Sequence, residues 1–140
     1  MSNIEHPLPY ASFESLGYWE GTSRNELVLQ RCNKCQIVQH RPRGICVNCL
    51  DASDLEHFVA SGKGTVYTYT VTEQNQAKGF AKACPYVLAY VDLEEGSRIL
   101  TNIVDCDPYD VSVGAEVMVK FVTQERPDTE SFAVPVFTLS

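Results

Sequence analysis

Four cysteines stand in two pairs, Cys32-x2-Cys35 and Cys46-x2-Cys49, with ten residues between the pairs. A thiolate is a soft ligand, and four of them suit a tetrahedral metal ion, Zn2+ above all. The C-x2-C spacing lets one tight turn aim two sulfurs at one ion. Two such turns at the ends of a hairpin close the shell, and ten residues suffice for two short strands and a bend. Iron in a rubredoxin-like site uses the same ligand set, so the sequence leaves both metals open. A shell of four thiolates has no free position, which makes the metal structural rather than catalytic.

The same segment is the only basic one. From Leu27 to Leu50 there are four cationic side chains, Arg31, Lys34, Arg41 and Arg43, and no acid, in a chain of net charge −7. Two explanations stand side by side. The cations offset the net −2 of a metal–tetrathiolate centre, or they form a patch that meets phosphate groups of a ligand.

Little else carries chemistry. Cys84 and Cys106 sit apart beside Pro85 and Asp107 and read as small core thiols. The three histidines, His6, His40 and His57, form no catalytic pattern with them, and a nucleophilic cysteine needs a base or an electropositive setting. Glu94-Glu95 falls in a turn, where solvated charge is the default. There is no glycine-rich phosphate loop and no nucleophile elbow.

The elements that position the cysteines follow from pattern. Residues 1–10, with Pro7 and Pro9, read as a loose leader. From Ser12 a helix is expected, capped by Ser12, with Phe13, Leu16 and Trp19 on one face and Gly21 as its stop. "LVLQRC" alternates like a strand entering the first knuckle and "QIVQHRP" like one leaving it; residues 51–57 are a polar connection. "GKGTVYTYTVTE" alternates and is rich in β-branched and aromatic residues. "PYVLAYVDLEEGSRILTNIVD" gives two strands around a Glu95-Gly96-Ser97 turn. "EVMVKFVTQE" and "SFAVPVFTLS" complete five strands, Pro135 placing the last at an edge or bulge. A long mixed loop follows the first strand, and "DPYDVSVG" makes a short turn or helix before a glycine turn. Five such strands suit a small OB-type barrel. The expected fold is mainly β: a leader and helix over 1–26, a zinc ribbon over 27–57 and a five-stranded OB barrel over 58–140.

Composition sets the outer limits. At 140 residues, with 44% hydrophobic and 21% charged residues, the chain is long enough for a core without disulfide staples. No apolar run is long enough to span a membrane, and no signal-peptide pattern opens the chain. A cytoplasmic protein is expected, where paired thiols mean metal before disulfide. Outside residues 27–50 the chain is strongly acidic, which disfavours general nucleic-acid binding. The "TVYTYT" tyrosines would otherwise suit a base-stacking platform.

Taken in order, "LVLQRCNKC", "RPRGICVNC", "GKGTVYTYT", "PYVLAYVDLEEGSRILTNIVD" and "VGAEVMVKF" resemble one family. It is the small acyl-CoA-associated OB-fold proteins with an N-terminal rubredoxin-like zinc ribbon, long known by a domain-of-unknown-function label. The resemblance covers about residues 12–138, and all four cysteines that some members lack are retained. It implies a non-catalytic subunit of a complex acting on CoA thioesters, with a thiolase-fold protein as catalytic partner. The alternative it offers is a subunit of an acyl-CoA hydratase or retro-aldolase; a nucleic-acid-binding OB protein is the reading from another class. It also gives Arg31, Lys34, Arg41 and Arg43 a ligand, the phosphates of CoA entering the partner's active site.

Overall fold

The computed structural model describes residue 7, residues 9–124 and residues 132–140. His6 and most of the leader expected over 1–10 lie outside the described residues. One helix, α1 (Leu16–Ser23), precedes a three-stranded sheet of order β2-β1-β3, made by β1 (Val28–Cys32), β2 (Val38–Gln39) and β3 (Leu55–Val59). A closed barrel follows, β4 (Lys63–Thr72), β5 (Tyr86–Leu93), β6 (Arg98–Val104), β7 (Glu116–Gln124) and β8 (Phe132–Leu139), in the circular order β4-β5-β6-β8-β7. Among the described residues only β6 and β8 pair in parallel. This is the expected mainly-β fold, with the helix, the ribbon and a five-stranded OB barrel.

Period-two alternation builds the barrel. On β5, Val87, Ala89, Val91 and Leu93 are buried while Leu88 and Tyr90 face out; on β6, Ile99 and Ile103 are buried and Leu100 faces out. Each fully buried Val, Leu or Ile contributes about 1.5–3 kcal/mol. A bulge between Val66 and Thr68 turns Tyr67 outward while Val66 stays inside. Gly96, at φ +101°, closes the β5–β6 hairpin where a glycine turn was expected. Pro135 pairs with Phe121 on β7, and its carbonyl accepts from Thr101 Oγ1 at 3.2 Å. The β6–β8 ladder covers only residues 103–104 and 137–138. The absent proline N–H therefore points where no ladder bond is made, which is why β8 tolerates it.

Several expectations change. Ser15, not Ser12, stands before the helix; its hydroxyl instead accepts from Ser12 N–H at 2.8 Å. Phe13 and Leu16 are exposed and Tyr18 is buried, so the docked face is Tyr18, Gly21 and Thr22. Gly21 does not stop the helix. It lies in the last turn, and the position needs a glycine because a Cβ there would meet Val28 Cγ2 at 2.4 Å. The stop is a Schellman motif: Asn25 takes φ +59°, with Glu26 N–H to Gly21 O at 2.9 Å and Asn25 N–H to Thr22 O at 3.0 Å. Thr22 Oγ1 accepts from Ala133 N–H at 3.3 Å and Trp19 packs edge-on against Phe132, tying α1 to β8. The strand expected over "QIVQHRP" shrinks to Val38–Gln39, and the connection expected over 51–57 becomes β3 from Leu55, paired along β1.

Candidate metal centre and the ribbon–barrel hollow

The two cysteine pairs sit in copies of one local fold. In the first, Cys32 N–H donates to Ile37 O at 3.0 Å and Gln36 N–H to Cys32 O at 2.7 Å; in the second, Cys46 N–H donates to Asp51 O at 2.9 Å and Leu50 N–H to Cys46 O at 3.0 Å. The residue after each second cysteine is left-handed, Gln36 at φ +64° and Leu50 at φ +62°. That conformation costs a non-glycine residue about 1–2 kcal/mol, so the surroundings enforce it.

The turns bring Cys32, Cys35, Cys46 and Cys49 together with every Sγ within 4.8 Å of the others. Cys32 Sγ lies 3.6 Å from Cys49 Sγ, and Cys35 Sγ 3.5 Å from Cys46 Sγ. A disulfide needs about 2.05 Å, whereas sulfurs about 2.3 Å from a tetrahedral zinc stand about 3.8 Å apart. The donor set and its spacing fit a metal ion, and the four residues are a metal-binding cysteine cluster. Asn48 and Cys49 N–H groups point at Cys46 Sγ at 3.4 and 3.5 Å, the polarity a thiolate requires. Hydrogen bonds from Asn48 and the Ile37 backbone draw the Cys35 thiol down to about 6. Cys32 and Cys46 are buried, Cys35 is half-buried and Cys49 exposed, so the cluster reaches solvent on one side.

The four cations do not act as a set. Arg31 pairs with Glu56 at 3.4 Å and lies 4.0 Å over the Phe58 ring. Lys34 pairs with Asp51 at 2.5 Å, which raises the lysine pKa and lowers the aspartate's. Arg41 and Arg43 make no ion pair among the described residues. They line a hollow of about 400 Å3 between ribbon and barrel, with Gln39, His40 and Val47 on one side and Tyr90, Arg98 and Leu100 on the other. Arg98 is shared with Asp92 through contacts of 2.6 and 3.2 Å and lies 3.4 Å over the Tyr67 ring. That stacking covers a tyrosine face a nucleic-acid base would need. His40 is driven down to about 4 by burial, with Arg41 and Arg43 adding to the fall.

Cys84 and Cys106 are both half-buried. Cys84 Sγ faces Phe80 O at 3.5 Å, and Cys106 is pushed up by burial and by Asp110, Asp107 and Asp105, the reverse of an activated thiol. Sequence reasoning missed Arg98 and the buried glutamines Gln30 and Gln39, because only the tertiary fold brings them to the ribbon. Among the described residues no helix is long and apolar enough to cross a membrane.

Known proteins share this arrangement. Residues 19–56 match the ChsH2 rubredoxin-like zinc ribbon domain and residues 59–122 the ChsH2 C-terminal OB-fold domain. A DUF35 domain-containing scaffold protein of Methanocaldococcus jannaschii is 44% identical over 95 residues, 68% of this chain and 67% of that protein. A probable enoyl-CoA hydratase alpha subunit of Thermomonospora curvata is 31% identical over 131 residues, 94% of this chain, but the match spans only 39% of that subunit. The solved structure of an Ltp2-ChsH2(DUF35) aldolase contains a chain that superposes with a TM-score of 0.79 at 30% identity, covering 94% of this chain and 98% of that one. With its cysteine knuckles, its ribbon and its closed barrel all accounted for, the chain belongs to the DUF35 family of ChsH2-like zinc-ribbon and OB-fold proteins.

Proposed function

We propose that this chain is a zinc-containing, non-catalytic subunit of a cytoplasmic complex acting on acyl-CoA thioesters, with a thiolase-fold protein as its catalytic partner. The observation that carries the reading is the hollow at the ribbon–barrel junction. There Arg41 and Arg43, which make no ion pair among the described residues although Glu14 feels the charge of Arg43, stand beside Val47, Tyr90 and Leu100. A CoA thioester couples phosphates to long apolar and aromatic parts, and such a hollow offers a surface for each. In this reading Cys32, Cys35, Cys46 and Cys49 hold the zinc, which keeps the ribbon folded. Arg41 and Arg43 make the phosphate contacts, and the ion-paired Arg31 and Lys34 add only to the surrounding field.

A second reading, a subunit of an acyl-CoA hydratase or retro-aldolase, is favoured by the names of the relatives, a hydratase alpha subunit and an aldolase. Co-expression with a candidate partner of each type, followed by size exclusion and assay, separates the two. The chain alone should show no thiolase, hydratase or aldolase turnover, and should co-elute with the partner whose activity it supports. Separate elution from both partner types at micromolar concentration refutes both readings. Turnover by the isolated chain that is lost on mutating Cys84 or Cys106 refutes the non-catalytic role.

A further inference from the structure

Between β2 and the second cysteine pair the chain runs without a strand partner, yet it must deliver Cys46 to the cluster. Two glutamines supply what a neighbouring strand would. Gln30 on β1 and Gln39 on β2 face each other in register and are each only 5% exposed. Gln39 Nε2 donates to Gln30 Oε1 at 2.8 Å. Gln30 grips both poles of Arg43: Oε1 accepts from Arg43 N–H at 2.9 Å, and Nε2 donates to Arg43 O at 3.0 Å. Gln39 grips the next two alternate residues: Nε2 donates to Ile45 O at 3.2 Å, and Oε1 accepts from Val47 N–H at 3.0 Å. The second N–H of Gln30 Nε2 faces His57 Nε2 at 3.4 Å. Every amide proton of the pair has a partner, and the gripped residues 43, 45 and 47 bracket Cys46.

We propose that Gln30 and Gln39 are positioning residues, a side-chain ladder that locks the segment from Arg43 to Val47. It holds the second cysteine pair against the first, so that metal is retained, and it fixes Arg43 at the rim of the hollow. The proposal rests on the metal-site reading for its first effect alone; the ladder itself rests on the hydrogen bonds. A methionine fills nearly the volume of a glutamine but removes the partners of the part-buried backbone groups at residues 43, 45 and 47, which frees the segment to move.

Two measurements on the full chain test it. In the wild type, the Arg43 and Val47 amides should be protected from hydrogen exchange by the glutamines and Cys46 by Asp51 O, while Gly44 exchanges freely. Arg43 and Val47 exchanging as fast as Gly44 overturns the ladder. Gln30→Met and Gln39→Met chains loaded with Co2+ should keep the thiolate absorption of a four-sulfur site but release the ion to a chelator about tenfold faster. Ile99→Val in the barrel core, a purely structural lesion, should leave release within about twofold of wild type. Unchanged release in both methionine variants overturns the positioning role. If a variant fails to fold, the wild-type exchange pattern decides. If the chain takes up no metal, the metal-site reading fails while the exchange pattern still reports on the ladder.

Discussion

Removing the two arginines that make no ion pair among the described residues should separate a ligand patch from mere charge balance. In Arg41→Ala, Arg43→Ala, no ion pair among the described residues is broken, and only the weak attraction between Arg43 and the exposed Glu14 is lost. In the matched control, Arg31→Ala, Lys34→Ala, the contacts to Glu56 and Asp51 are lost instead. An exposed charge contact contributes about 0.5–1 kcal/mol. Two phosphate contacts therefore amount to about 1–2 kcal/mol, and at 1.4 kcal/mol per decade the KM for a CoA thioester should rise roughly five- to thirtyfold. The contacts hold a part of the substrate remote from the reacting carbonyl, so kcat should stay within about twofold. Raising ionic strength to 0.5 M shortens the screening length to about 4 Å and should shrink the difference between wild type and variant. The assay is steady-state turnover of the reconstituted complex at low and high salt, with calorimetric titration of CoA as the binding control. An unaltered KM at low salt would refute the reasoning. So would a control variant that loses as much as the Arg41, Arg43 variant, because the ion pairs would then not be consuming the charge of Arg31 and Lys34.

Two other predictions follow from packing and protonation. Gly21→Ala should destabilise the chain by about 1–2 kcal/mol in denaturant titration, because overpacking against Val28 outweighs the gain in helix propensity; Gly44→Ala, whose Cβ would meet nothing nearer than 4.0 Å, should be near neutral. His40 is held down to about 4 by burial and by Arg41 and Arg43, below its unfolded value near 6.5. The unfolded chain then binds more protons, so this stability is full above pH 6.5 and is lost as pH falls towards 4, by about 3 kcal/mol. His40→Phe should flatten that part of the stability profile, and an unchanged profile would show the imidazole to be already solvated.

What the sequence made legible was what is local. C-x2-C fixes a turn by itself, so the cysteine cluster was readable before any fold. The barrel strands were readable because one face is buried and the period is two. The helix was misread because its buried face is chosen by its neighbours: Val28 demands Gly21, and β8 takes up Thr22 and Trp19. "LEHFV" has no clean alternation and becomes β3 only by pairing along β1. Gln30 and Gln39 look like solvated strand residues, and nothing nearby announces that they bury each other. The counter-charges escaped for the same reason, since Asp51 and Glu56 lie just beyond the acid-free window and return to it through the fold.

That return answers the question posed by the basic segment. Had the cations existed to offset a metal–tetrathiolate charge, they would stand unpaired beside the sulfurs. Instead Arg31 and Lys34 are paired with carboxylates, Lys34 feeling Cys49 only after Asp51, and backbone N–H groups of Asn48 and Cys49 point at Cys46 Sγ and share the offsetting. Arg41 and Arg43 face away from that task, towards the hollow. Their field is felt there, because both add to the depression of the His40 pKa that burial begins. Two arginines outside every ion pair among the described residues, in an otherwise acidic chain and beside apolar side chains of the barrel, are expected of a surface that meets an anion, and the arginine variants test that directly.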